Sequence, residues 1–121
     1  MTRKEFVRRF VLMEIADDYE NLEHTCSVVA RDSARCGLAI SQAEIVEALA
    51  DLIDAGLARA YRLSGAEVRV FHGVPTLQEA ENFYTHFWAT QTGRELMTVD
   101  REWWPFDDLG ELRSDWVPPE G

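Results

Sequence analysis

Three histidines and two cysteines are the side chains in this 121-residue sequence with the most versatile chemistry. His24, His72 and His86 fall in separate elements, and none has an Asp, Glu or Cys at a recognised metal-ligand spacing. His24 and Cys26 are two residues apart, which puts them on different faces of a helix. Cys26 and Cys36 belong to one helical stretch, where ten residues separate their Cα atoms by roughly 15 Å, beyond disulfide reach. They read as buried or half-buried thiols; a redox sensor would need an electropositive site, at which only Arg31 and Arg35 hint. No glycine-rich phosphate loop, nucleophile elbow or CxxC pair occurs. The expectation is a protein without catalysis, cofactor or metal.

Charge is the next constraint. The net charge is −10. Residues 1–71 carry 9 basic and 12 acidic side chains, and residues 72–121 carry 3 and 10, so the excess sits in the second part. Proteins built mainly to hold phosphate backbones lean the other way. No stretch approaches 18 uninterrupted apolar residues, so no membrane-spanning helix is expected. Arg3, Lys4, Arg8 and Arg9 resemble the basic region of a signal peptide, but Glu14 interrupts the apolar run after Phe10–Met13. A cytoplasmic protein of one domain follows.

The elements that must position these residues centre on Ser41–Phe71. Ser41 and Glu44 have the spacing of a capping box. Ile45, Val46, Leu49, Leu52 and Ile53 then form one apolar helical stripe, stopped at Gly56. Two β-prone runs follow, Ala58–Leu63 and Glu67–Phe71, joined by a turn at Ser64–Gly65–Ala66. Upstream, Thr2 and Glu5 start a helix of about 18 residues, with Phe6, Phe10 and Met13 in a broad apolar face. Asp17–Glu23 holds a turn, and a second helix runs from about Glu23 to Cys36, with Cys26, Val29, Ala30 and Ser33 as its small apolar positions. Downstream, Thr76 and Glu79 cap a short helix over about Leu77–Asn82. Phe83–Ala89 reads as a returning strand, although a continuous helix through Gln91 fits the same residues.

Helix, glycine stop and hairpin resemble the third helix and wing of a winged helix-turn-helix domain. FWATQTGREL resembles the segment that closes the wing in bacterial transcription regulators of the PadR and MarR type. The resemblance spans about residues 3–97 and implies an α+β, mainly α fold: a three-helix core, a β-hairpin wing and an additional C-terminal helix begun by Thr90, with Gly93 and Arg94 in its first turn. It also implies a homodimer. Residues 1–97 would be the winged-helix domain and residues 98–121 a Trp-rich acidic tail.

In such domains the third helix enters the major groove and the wing touches the backbone or the minor groove. Here that helix exposes Ala43, Glu47, Ala50, Asp51 and Asp54, and only Ser41 and Gln42 have base-reading chemistry. The wing is more suitable. Arg59, Arg62 and Arg69, with Arg31 and Arg35 of the preceding helix and Arg3, Lys4, Arg8 and Arg9, could form a basic rim for duplex DNA. Trp103, Trp104 and Trp116, with Phe6 and Phe10 of the first helix, are the candidates for partner or dimer contact. An aromatic cleft near Phe83, Phe87, Trp88 and Trp103 is a candidate effector sensor. Two readings stand: a transcription regulator touching DNA through wing and helix-2 arginines, and a protein-contact or dimerisation module that does not bind DNA.

Overall fold

The computed structural model of the protein describes residues 1–16, 20–99 and 101–119. Its elements run α1 (Arg3–Ile15), β1 (Glu20–Asn21), α2 (Leu22–Arg35), α3 (Gln42–Asp54), β2 (Ala58–Ser64), β3 (Glu67–Val70), α4 (Leu77–Glu81), β4 (Thr85–Ala89) and α5 (Gln91–Val99). This is an α+β fold with an antiparallel sheet in the order β1-β4-β2-β3.

Local chemistry sets the helix ends. The Thr2 hydroxyl accepts the Glu5 N–H at 3.2 Å, and complete capping boxes form at Ser41–Glu44 and Thr76–Glu79. The second helix begins one residue earlier than its sequence suggests because the Asn21 side chain caps it, accepting the His24 N–H at 2.8 Å. Asn21 also belongs to β1, opposite His86, so part of the expected Asp17–Glu23 turn is strand and helix start; residues 17–19, where the first helix was expected to continue, lie outside the described residues. Gly56, at φ +75°, takes the left-handed conformation that ends α3 and turns the chain into β2.

The core lies between α1, α2 and α3 and one face of the sheet. Phe10, Val11 and Ile15 meet Val29, Ile45, Leu49 and Leu52, with Ala58, Ala60, Phe87 and Ala89 beneath them. Each large side chain so buried contributes about 2–3 kcal/mol of transfer free energy. On α2 the buried positions differ from expectation. Ala30 is exposed, while Thr25 is fully buried, its hydroxyl donating to the Asn21 carbonyl at 2.8 Å.

Register assigns the two sheet faces. Ala58↔Ala89, Ala60↔Phe87 and Arg62↔Thr85 pair on the helix side. Arg59↔Trp88 and Tyr61↔His86 pair on the outer side, where Leu63↔Val68 and Tyr61↔Val70 extend the row. Residues 85–89 are therefore strand and not helix. The expected aromatic sensor does not assemble. Phe87 is in the core and Trp88 faces the other way, as neighbours on a strand must; Phe83 is exposed, and Trp103 packs on Phe6.

The tail folds back on its own chain. Trp103 meets Phe6 edge-on with centroids 5.8 Å apart, Trp116 lies 5.9 Å from Phe6, and Trp104 lies 5.2 Å from Phe10. Phe6 and Phe10 are thereby buried within one copy, so these rings have no surface left for the partner contact expected of them. Arg113 holds this arrangement, donating to the carbonyls of Glu102 at 2.6 Å and Trp104 at 2.9 Å.

Candidate interaction surface

The acids of α3 were the strongest objection to DNA contact, and most of them face another helix. Arg3 Nε lies 2.9 Å from Glu44, Lys4 Nζ lies 3.0 Å from Glu47, and Arg8 Nε lies 3.1 Å from Asp51. These pairs line a groove of about 220 Å³ between α1 and α3. The Arg3 guanidinium holds the Glu44 carboxyl down at about 2. Arg3, Lys4 and Arg8 are thus engaged by α3. Arg9 lies over the Trp103 ring, 6.0 Å from its centroid.

The remaining surface of α3 is poor in donors. Ile45, Ala48, Leu49 and Leu52 are buried, so the opposite side carries Ala43, Glu47, Ala50 and Asp54. Val46, Ala50 and Ile53 flank an apolar crevice closed by Val74, Pro75 and Leu77. Ser41 and Gln42 are exposed at the helix start, with the Ser41 hydroxyl and N–H both engaged by Glu44.

The five arginines expected to share a phosphate-binding rim go separate ways. Arg31 pairs with Asp32 at 3.1 Å. Arg35 stacks over Phe106, 4.3 Å from its centroid, and donates to the Gly110 carbonyl, so it anchors the tail. Arg59 projects from the outer side of the sheet, opposite to Arg62 and Arg69. Only Arg62 and Arg69 come together.

Those two are directly opposed across β2 and β3, an unfavourable pairing of like charges. Arg62 lies 5.9 Å from the Phe71 centroid, and its Nε is buried without a hydrogen-bond partner. The Thr85 hydroxyl, next to it in register, is the other buried orphan among the described residues. With Phe71, His72 and Glu79, the two arginines line an open cleft of about 560 Å³. Glu79 contributes a counter-charge. The Thr76 N–H and hydroxyl hold its carboxyl below the usual range, with Arg62 and Arg69 adding to the effect.

Beside this cleft β3 is the last strand of the sheet. The Phe71 N–H donates to the Ala60 carbonyl at 3.0 Å. Alternation along the strand then turns the backbone groups of Glu67 and Arg69 toward β2 and those of Val68 and Val70 outward. Val68 is 59% exposed and Val70 36%. The edge carries neither proline nor lysine to discourage pairing. The pattern was present in the sequence as Glu67-Val68-Arg69-Val70, but only the sheet order shows that it lies at an edge.

Other reactive groups sit apart. Cys26 is half-buried and Cys36 buried, burial raising the pKa of both thiols. His24 pairs with Glu20 at 3.0 Å. No cluster of three or more His, Cys, Asp or Glu suited to a metal occurs among the described residues. No helix among them is long and apolar enough to cross a membrane. Glu14 faces Asp32 between α1 and α2, and burial together with that neighbour raises its pKa from 4.5 to about 8, with Arg31 acting against the shift.

Comparison with protein-family models, curated proteins and solved structures gives no match to this chain.

Proposed function

We propose that this chain is a non-enzymatic, cytoplasmic winged-helix protein of the transcription-regulator type that works by protein contact and does not read DNA with its third helix. Three helices followed by a hairpin, then the short α4, a returning strand and a closing helix, support the winged-helix reading, with β2 and β3 as the wing. One observation carries the functional choice. The exposed positions of α3 are Gln42, Ala43, Glu47 and Asp54, and only Gln42, at the very start of the helix, has a side chain that donates a hydrogen bond to a base edge. Asp54 and the Lys4-paired Glu47 bring no positive charge of α3 to a groove lined with phosphates.

Anisotropy of labelled duplex fragments, followed from low to physiological salt, tests this reading. The expected result is no binding even at low salt. Binding that weakens steeply with salt would overturn it and favour a second reading, in which the wing holds backbone phosphates. The directly opposed Arg62–Arg69 pair and the orphaned Arg62 Nε are the observations behind that alternative. There, R62E/R69E would abolish binding, and R31E and R35E would leave it unchanged or disturb the tail.

A further inference from the structure

We infer that the edge of β3 pairs with β3 of a second copy of this chain, antiparallel and centred on Val68. This inference rests on the protein-contact reading and names the partner.

The register follows from the backbone. Val68 points its N–H and carbonyl away from β2, so two copies related by a two-fold axis at Val68 exchange both hydrogen bonds between their Val68 residues. In that register Glu67 of each copy lies opposite Arg69 of the other. These are non-hydrogen-bonded positions, where facing side chains come closest. The strand is therefore self-complementary in charge, and both ion pairs lie on the helix side of the sheet.

The same register removes an anomaly of the single copy. Arg69 stands opposite Arg62 on β2, like charge against like charge. Pairing brings Glu67 of the second copy to the free side of Arg69. On the outer side, Val68 meets Val68 of the second copy across the axis, and the row of exposed Val68 and Val70 with half-buried Leu63 and Tyr61 becomes continuous between copies. One-residue slips fail, because they set Val68 opposite Arg69 or opposite Glu67 and lose the ion pairs.

Sedimentation velocity over a concentration series provides the test, with the wild type, E67R, R69E, the double variant E67R/R69E and an equimolar mixture of the two single variants. Glu67 and Arg69 are exposed, so the fold is retained, which circular dichroism checks. The wild type dimerises. Each single variant places like charges opposite one another and weakens the dimer roughly tenfold or more. The double variant restores it, and the mixture of single variants also dimerises, because each supplies the charge that the other lacks. V68P leaves the β2–β3 ladder intact, since that N–H faces outward, but removes the central hydrogen bonds and gives a monomer. A monomeric wild type, or a mixture no better than the single variants, overturns the pairing. Either result leaves the duplex experiment unaffected, so failure of the edge pairing and failure of the protein-contact reading are separately visible.

Discussion

Gly93 lies so close to the Leu57 carbonyl that a Cβ at this position would stand 2.2 Å from the oxygen. Thr90 fastens the same junction, its N–H donating to Leu57 O at 2.9 Å and its hydroxyl to Gly56 O at 2.8 Å, while the hydroxyl oxygen accepts the Gly93 N–H at 3.1 Å. The start of α5 is thereby fixed to the start of β2. The obstacle is backbone, not a side chain that could swing aside. G93A should cost about 2 kcal/mol or more, read as a shift of the urea midpoint. An unchanged midpoint would show that α5 can slide away from Leu57.

Glu14 sets a pH dependence. Its carboxyl titrates near 8 in the folded chain and near 4.5 when unfolded, so between these values the folded state holds the extra proton. Stability from this residue is complete below pH 4.5 and is lost as pH rises toward 8. E14Q, which keeps a neutral donor, should flatten that slope and raise the melting temperature most above pH 8. Parallel wild-type and variant profiles from pH 5 to 9 would refute the assignment.

Thr85 carries a buried hydroxyl without a partner, and its loss should be harmless. T85V keeps the shape and removes the desolvated oxygen, so stability should stay level or rise by about 1 kcal/mol. A fall of that size would mean that the hydroxyl is satisfied in solution, by water or by the Arg62 side chain next to it.

Arg113 gathers the tail by donating to two backbone carbonyls and pairing with Asp115 at 3.1 Å. R113A should loosen residues 101–119 without melting the helices. Tryptophan emission should shift to the red and protease should cut the tail sooner, while far-ultraviolet dichroism keeps its shape. Arg35 makes a second attachment through Phe106 and Gly110, so R35A should act in the same direction.

The elements were legible because their signals are local. Capping residues, glycine stops and apolar periodicity lie within a few positions of one another, and Ser41–Glu44, Gly56 and Thr76–Glu79 all stand where those signals put them, while the Thr90–Gly93 turn stands where the resemblance put it. The surface was not legible in the same way, because charge partners are decided by packing. Arg3, Lys4 and Arg8 meet acids about 40 positions away on α3, and nothing near them in the chain shows it. Arg35 faces Gly110 across 75 positions. Arg59 and Arg62 read alike along the chain, yet their separation of three residues, an odd number, sends them to opposite faces once the stretch is a strand. Along the chain Glu14 shows only as a break in the first apolar run, because the neighbours that shift its carboxyl, Asp32 and Arg31, come from α2.

The other edge of the sheet limits what the first can build. β1 contributes two residues and passes directly into α2, whose cap is the second of them. Among the described residues a strand arriving there finds a ladder of two residues to join, against four at β3. Joining two copies at β3 uses that end on both. Joined in this way, β3 of each copy is covered by the other, and neither valine-rich edge is left to recruit a third chain.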